Sequence, residues 1–201
     1  MAYSTDEQKR IRAFYKRRIT KYGIHSPRAL AWDSKESQKA RLETILELGN
    51  FDNKSVLDIG CGTGDLIPLL EERCSNFKYR GIDINADFIT EAKKRYPSHN
   101  FSSGEFLCAK NKAADYIFAS GVLTYKIDNY KERYFELVKE MFDSAVLGVA
   151  FNMLNEQHHS SKGLFATYSI PEVEGFCRGL TDKLILRQDY LPRDFTVYLY
   201  H

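Results

Sequence analysis

Apolar and polar positions along this chain follow two patterns, one typical of helices and one typical of buried strands. Near the N-terminus apolar residues recur at helical spacing, which predicts an amphipathic helix over Thr5–Tyr22. Further along, Asp115–Ala119 and Ala145–Met153 are runs of apolar and small residues, as expected of strands covered on both faces. Helical segments separate such runs, so the pattern favours a mostly parallel sheet.

The predicted elements alternate along the whole chain. Helices are expected at Thr5–Tyr22, Ser37–Leu48, Leu66–Leu70, Ala86–Tyr96, Asn129–Phe142 and Pro171–Leu180. Strands are expected at Ser55–Gly60, Lys78–Ile84, His99–Ser103, Asp115–Ala119, Ala145–Met153, Lys183–Tyr190 and Phe195–Tyr200. The link between the last two strands is too short for a crossover helix, so they should pair antiparallel. The predicted fold class is therefore α/β, a mostly parallel seven-stranded sheet with an antiparallel C-terminal strand and helices on both faces.

Length and composition describe an ordinary globular chain. Its 201 residues are 43% hydrophobic and 28% charged, which suits a single domain with a substantial core. The four cysteines lack C-x-x-C pairs and histidines at ligand spacing, so we expect neither a metal site nor a disulfide framework. The sequence has no signal-peptide pattern and no run of transmembrane length. We therefore expect a cytoplasmic protein with reduced thiols and no membrane partner, while the oligomeric state has no signal in the sequence.

Charge is unevenly distributed although the net charge is only +2. The N-terminal helix carries a cluster of basic residues: Lys9, Arg10, Arg12, Lys16, Arg17, Arg18 and Lys21. A solvated helix face is the favoured interpretation. The alternative is a patch for an anionic partner.

The glycines at positions 60, 62 and 64 are the most informative feature of the sequence. They follow a predicted strand directly, and apolar residues at helical spacing come next. Glycine has no Cβ, so the backbone can turn sharply and approach a ligand closely. A helix beginning near Gly64 would also point its free amides at that turn. Dinucleotide-binding turns have the spacing G-x-G-x-x-G, whereas here the third glycine follows after one residue.

The segment Asp58–Gly64, which reads Asp-x-Gly-x-Gly-x-Gly, resembles the first motif of class I S-adenosylmethionine-dependent methyltransferases. The strand count and the C-terminal hairpin are similar to that family's Rossmann-like fold. The resemblance implies S-adenosylmethionine as cofactor and S-adenosylhomocysteine as product. It also implies one domain over residues 1–201, with a cofactor-binding core over 55–201 and residues 1–48 as an N-terminal helical lid.

Ligands of open α/β sheets bind beyond the carboxyl ends of the strands. Asp83 ends the second strand, and the resemblance implies that its carboxylate accepts hydrogen bonds from the ribose. Many members have Gly-Asp after the third strand, where this chain departs with Gly104-Glu105. The implied cofactor-binding residues are Asp58, Gly60, Gly62, Gly64, Asp83, Ile84, Gly104, Glu105, Phe106 and Ser120.

A hydroxyl acceptor can require a general base, and histidine suits that role at neutral pH. The candidate catalytic residues are His25, in the link after the first helix, and His158 and His159, in the long loop after the fifth strand. Loops of such length are usually functional or mobile. For the two loop histidines, simple surface polarity is the competing interpretation. The candidate substrate residues are Tyr22, Trp32, Tyr125 and Asn152.

The predicted function is methyl transfer to a small-molecule O or N acceptor. Nucleic-acid enzymes that methylate amino groups carry Asn/Asp-Pro-Pro-Tyr/Phe after the fourth strand, whereas this chain has Ser120–Leu123 there, reading Ser-Gly-Val-Leu. The cysteine of the cytosine C5 enzymes is also missing. Two alternatives stay open: an RNA methyltransferase that uses the basic N-terminal helix, and a non-catalytic subunit that binds S-adenosylmethionine.

Overall fold

The computed structural model describes residues 3–158 and 163–201. Six α-helices are present within these ranges: α1 (Thr5–Tyr22), α2 (Lys35–Ile45), α3 (Ile67–Arg73), α4 (Ala86–Arg95), α5 (Tyr130–Ser144) and α6 (Ile170–Arg178). Seven strands are present in the same ranges: β1 (Lys54–Ile59), β2 (Phe77–Asp83), β3 (Asn100–Ser103), β4 (Ala114–Ala119), β5 (Ala145–Leu154), β6 (Leu184–Arg187) and β7 (Asp194–Tyr200).

All seven strands form one sheet in the order β3-β2-β1-β4-β5-β7-β6. Strands β1 to β5 pair in parallel, and β7 runs antiparallel to both of its neighbours. The predicted fold class is confirmed, including the single reversed strand and the antiparallel pairing of the last two strands. Strand order reverses between β1 and β4, which is where an open α/β sheet opens a crevice.

Side chains of successive strand residues point to opposite faces of the sheet, and each face has its own core. On one face Leu57 and Ile117 pack with α1, α5 and α6. On the other face Val56 and Phe118 pack with α2, α3 and α4. Helices therefore cover both faces, which explains why the central strands are almost wholly apolar.

The largest differences from the predicted boundaries occur in three elements, α2, α3 and β6. Helix α2 begins at Lys35 because Ser34 caps it, its hydroxyl accepting a hydrogen bond from Ser37 N at 3.1 Å. The helix ends at Ile45, and a 3₁₀ turn continues over Leu46–Leu48. Helix α3 begins only at Ile67, after a run of turns, and β6 ends at Arg187 rather than Tyr190.

Helix α1 lies over the carboxyl end of the sheet, and its basic residues Arg12, Lys16 and Arg17 are exposed. Both interpretations of the basic cluster require that exposure. The four cysteines are free thiols. Within residues 3–158 and 163–201 no cluster of three potential metal ligands occurs, and no helix is long and apolar enough to cross a membrane.

Candidate functional site

The turn after β1 has the backbone shape that its glycines predict. Gly60, Gly62 and Gly64 have φ of 69°, 53° and 82°, a region that L side chains rarely adopt. A Cβ on Gly60 would lie 2.2 Å from Cγ2 of Val122. The amides of Gly60 and Cys61 both donate to the carbonyl of Ile82, at 2.7 and 3.2 Å. The turn is thus held against the end of β2.

Gly64 and the helix behind it are placed differently from the prediction. A Cβ on Gly64 would meet the Tyr96 ring at 2.9 Å, so this glycine allows close packing and does not line the cleft described below. Helix α3 begins three residues later, with Pro68 in its first turn. The predicted helix start near Gly64 is therefore three residues too early, because turn residues separate the glycines from the helix.

Asp83, at the end of β2, connects two segments of the site. Its Oδ2 accepts a hydrogen bond from Gly62 N at 3.0 Å, and its Oδ1 accepts one from Asn85 N at 2.8 Å. Asn85, and not Asp83, caps α4, accepting from Asp87 N at 2.9 Å. Desolvation raises the pKa of Asp83 to about 6 against the lowering effect of the two backbone hydrogen bonds. The carboxyl group is therefore oriented and already short of solvent.

Asp58, near the end of β1, is a second buried carboxyl group. Its Oδ2 accepts a hydrogen bond from the Tyr79 hydroxyl at 2.8 Å. Desolvation raises its pKa to about 7, and the negative charge of Asp83 adds to the increase. Two carboxyl groups with raised pKa values thus share one site, an arrangement that marks functional sites more often than structural ones.

A cleft lies beyond the carboxyl ends of β1, β2 and β4, and we call it the central cleft. It contains every predicted cofactor-binding residue except Gly64: Asp58, Gly60, Gly62, Asp83, Ile84, Gly104, Glu105, Phe106 and Ser120. Residues that the sequence did not indicate as cofactor-binding complete its wall, among them Tyr3, Ile11, Tyr15, Leu30 and Arg133. The helical spacing of α1 identified Ile11 and Tyr15 as apolar positions, but only the packed structure brings them to the cleft.

Glu105 holds the N-terminal segment over the central cleft. Its Oε2 accepts a hydrogen bond from Tyr3 N and its Oε1 accepts one from Gln8 Nε2, both at 2.7 Å. A buried pair between Glu7 and Arg133, at 2.6 Å, ties the same segment to α5. The implied cofactor contact of Glu105 therefore competes with the hydrogen bonds that both of its carboxylate oxygens accept from the N-terminal segment.

Replacing Glu105 with glutamine should loosen α1 without unfolding the protein. The glutamine amide presents an NH₂ group to one of these two donors instead of an acceptor oxygen, and the charge that strengthens both hydrogen bonds is lost. We expect amide hydrogen exchange in the first turns of α1 to become about tenfold faster. Mass-spectrometric exchange measures this, with Glu140→Gln on α5 as the matched control. Equal exchange of α1 in both variants would show that Glu105 does not hold the lid.

A second cavity, which we call the side cavity, adjoins the central cleft. Both are lined by Tyr15, Leu30, Trp32, Gly121 and Tyr125. Trp32 packs directly on Gly121, where a Cβ would lie 2.7 Å from the indole. The predicted substrate residues Trp32 and Tyr125 therefore lie at the junction of the two cavities.

Asn152 lines the side cavity, but its amide is occupied. Its Oδ1 accepts a hydrogen bond from Gly121 N and its Nδ2 donates to Ser120 Oγ, both at 2.9 Å. The side chain thus positions the segment after β4.

Three further predicted residues lie away from both cavities. Tyr22 packs under the guanidinium groups of Arg18 and Arg28 on the outer surface. His25 is 70% exposed, 3.7 Å from Glu91, because the link after α1 runs along the surface. His158 is exposed in the turn after β5. His159 lies outside the described residues.

The side cavity also contains an ion pair that the sequence did not indicate. Arg41 Nε and Nη2 donate to the two carboxylate oxygens of Asp194 at 2.7 and 2.6 Å. The Arg41 guanidinium lies 5.0 Å from the centre of the Trp32 ring. No local motif could have predicted this contact, since it joins α2 to the first residue of β7.

Comparison with known proteins agrees with this geometry. A family model described as a methyltransferase domain matches residues 56–157. Trans-aconitate 2-methyltransferase of Rhodopseudomonas palustris strain BisB18 is 29% identical over 132 residues, covering 65% of this chain and 51% of that protein. Malonyl-[acyl-carrier protein] O-methyltransferase of Acetivibrio thermocellus is 37% identical over 81 residues, covering 39% of this chain and 28% of that protein. The chain thus spans about half, or less, of the length of these two relatives.

Solved structures share the fold over nearly the whole chain. Magnesium protoporphyrin IX methyltransferase from Synechocystis PCC 6803, with bound S-adenosylmethionine, superposes with a TM-score of 0.69 at 14% identity and 98% coverage of both chains. A DhpI complex with S-adenosylhomocysteine gives a TM-score of 0.67 at 19% identity, covering 98% of this chain and 97% of that one. Together with the family match, the glycine turn and the strand order, these findings show that the chain belongs to the methyltransferase domain family and has the class I S-adenosylmethionine-dependent methyltransferase fold.

Proposed function

We propose that this chain binds S-adenosylmethionine in the central cleft and transfers its methyl group to a small-molecule O or N acceptor. The observation that carries the proposal is the convergence of Asp58, Asp83 and the turn at Gly60 and Gly62 in one cleft. Relatives named for trans-aconitate and for malonyl-[acyl-carrier protein] support a small-molecule acceptor. The family match and the neighbours solved with S-adenosylmethionine or S-adenosylhomocysteine support the cofactor.

The residues of the central cleft fit an adenosyl cofactor. The Asp83 carboxylate suits a ribose diol, since an ionised carboxylate only accepts hydrogen bonds and this one is already oriented by Gly62 N. Asp58 suits the cofactor's amine, directly or through water. Ile84 and Phe106 supply apolar surface for the adenine. Desolvation raises the pKa of both carboxyl groups because burial disfavours their charged forms. Hydrogen-bond donors or a cation on a bound ligand would favour the charged forms and lower these pKa values again.

When bound, the cofactor supplies a methyl carbon already activated by positively charged sulfur. An acceptor oxygen or nitrogen forms the new bond to that carbon as the carbon–sulfur bond breaks, and the acceptor proton leaves to solvent or to a base. The chain's own contribution is alignment. Tyr15, Trp32 and Tyr125 surround the junction of the two cavities. An acceptor in the side cavity would approach the methyl carbon through this junction. His159 stays a predicted base.

Calorimetry and product detection test this function together. We expect S-adenosylmethionine and S-adenosylhomocysteine to bind, and S-adenosylhomocysteine to be released when a suitable acceptor is present. Binding of S-adenosylmethionine with no release from any acceptor pool would favour the non-catalytic subunit instead. No binding of either compound would contradict the proposal itself.

Cofactor binding should release protons and strengthen as pH rises. In the unliganded protein Asp83 and Asp58 have pKa values of about 6 and about 7. A ligand that donates hydrogen bonds to the carboxylates lowers these values, so protons leave on binding. Between about pH 5 and about pH 7.5 we expect affinity for S-adenosylhomocysteine to rise at least tenfold.

Titrations in two buffers of different ionisation enthalpy measure the released protons directly. Asp58→Asn removes the carboxyl group with the higher pKa, so the variant should release fewer protons and show a flatter pH profile. Affinity that stays constant over this pH range in the unmodified protein would contradict the assignment of both carboxylates.

A further inference from the structure

The side cavity has the position of an acceptor site. It opens onto the central cleft at Gly121 and Tyr125, close to the end of β4. The Asn152 amide holds this segment in place from below, through Gly121 N and Ser120 Oγ. A molecule in the side cavity would therefore face the ligand of the central cleft across the fixed backbone of Ser120 and Gly121.

Flat aromatic rings form much of the side-cavity wall. The wall includes Phe14, Tyr15, Trp32, Tyr125 and Phe165. The Phe14 ring lies 5.3 Å from that of Tyr125 and 5.1 Å from that of Tyr15, centre to centre. These rings give the side cavity an apolar aromatic wall, against which a planar aromatic ligand can pack offset-stacked or edge-to-face.

Most polar groups of the side cavity are already satisfied by the protein. The Arg41 guanidinium holds Asp194 with two hydrogen bonds and the Ser37 carbonyl with a third, at 2.9 Å. The Thr124 hydroxyl donates to the Gly121 carbonyl at 2.6 Å. The Asn152 amide is occupied as described. These groups shape the cavity, and none of them supplies a free charge for a ligand.

Arg193 and Asp33 differ from these groups because their side chains are not used in hydrogen bonds or ion pairs among the described residues. Both line the side cavity and are exposed. Arg193 lies in the short link before β7, directly beside the Arg41–Asp194 pair. Arg41 and Asp194 pair with each other, so among the described residues Arg193 is the cation on this side of the cavity whose side chain has no ion pair. A guanidinium binds carboxylates with paired, charge-assisted hydrogen bonds.

We propose that the side cavity is the acceptor site and that Arg193 selects planar acceptors carrying a carboxylate. This proposal rests on the proposed function only in calling the ligand a methyl acceptor. Asp33 has the opposite charge on the α2 side of the cavity, so it disfavours an anion there. The two residues should therefore affect an acid in opposite directions.

Matched acids and amides test the proposal. The probes are salicylate, 4-hydroxybenzoate and anthranilate, each paired with its primary amide, and binding is measured by titration with and without S-adenosylhomocysteine. We expect at least one acid to bind about tenfold or more tightly than its amide. Arg193→Gln should weaken acid binding by a similar factor and leave amide binding unchanged, whereas Asp33→Asn should strengthen acid binding.

The control is Arg187→Gln, which removes the same charge from β6 outside both cavities. Three results would each overturn the proposal. The acids could bind no better than the amides, none of the three acids could bind, or the Arg193→Gln and Arg187→Gln variants could have equal affinity for the acids. Affinity for S-adenosylhomocysteine, measured on every variant, separates the two proposals. If the unmodified protein does not bind S-adenosylhomocysteine, the proposed function fails. The effect of Arg193→Gln on the binding of acids relative to amides still tests the role of Arg193 separately.

Discussion

Replacing Arg41 with alanine is expected to lower the free energy of unfolding by about 3–5 kcal/mol, because the buried Asp194 carboxylate loses its paired guanidinium and two charge-assisted hydrogen bonds. The Arg41 and Asp194 side chains are only 10% and 3% exposed. Their two hydrogen bonds join positions 153 residues apart, so the pair fastens α2 to the start of β7. The contact between Arg41 and Trp32 is lost as well. Urea unfolding followed by circular dichroism measures the change.

Two matched variants define the origin of this loss. Lys139→Ala breaks an exposed ion pair with Asp143 on α5, and should cost about 1 kcal/mol or less. Replacing Arg41 by methionine and Asp194 by leucine together should restore most of the stability, since no charge is left buried. If Arg41→Ala were as stable as Lys139→Ala, the buried pair would contribute no more to the free energy of unfolding than the exposed pair, which would contradict this prediction.

Asp83→Ala is expected to weaken cofactor binding by about 1.5–3 kcal/mol, because hydrogen bonds to a charged acceptor are lost. The carboxylate is oriented by Gly62 N and Asn85 N, so its removal also releases the glycine turn. Isothermal titration with S-adenosylhomocysteine measures the effect. Asp87→Ala, in the exposed first turn of α4, is the control for charge.

Asp83→Asn separates the two roles of this residue. The asparagine keeps one acceptor of the same shape and lacks the negative charge, so we expect an affinity between those of the unmodified protein and Asp83→Ala. Thermal melting without ligand shows how far the turn itself is loosened. Unchanged affinity in Asp83→Ala would exclude the assignment of Asp83 to the ribose.

The order of elements could be predicted because its causes are local. Apolar residues at helical spacing and continuous apolar runs indicate helices and buried strands, and these elements form the mostly parallel sheet with one reversed strand that was predicted. The turn at Gly60 and Gly62 was predictable for the same reason, since glycine is the residue that tolerates its positive φ values. Helix α3 was placed too early because local spacing does not show how many turn residues precede a helix.

Residues beyond the motif were predicted less well. Trp32 and Tyr125 lie at the junction of the two cavities, whereas Tyr22 and His25 lie outside them. All four come from connecting or terminal segments, whose path depends on tertiary packing rather than on periodicity. A histidine in a loop has the right chemistry for a base, but its sequence context contains no information about which way the loop runs.

The sequence by itself therefore determined the sheet, its reversed strand and the turn that defines the central cleft, because each follows from backbone freedom and apolar spacing within a few residues. Only the tertiary structure decided what covers and extends that cleft. The contact of Glu105 with Tyr3 spans 102 positions and that of Arg41 with Asp194 spans 153. The packing of α1 and α2 against the sheet brings these distant residues into contact, and a periodic pattern in the sequence contains no information about that packing.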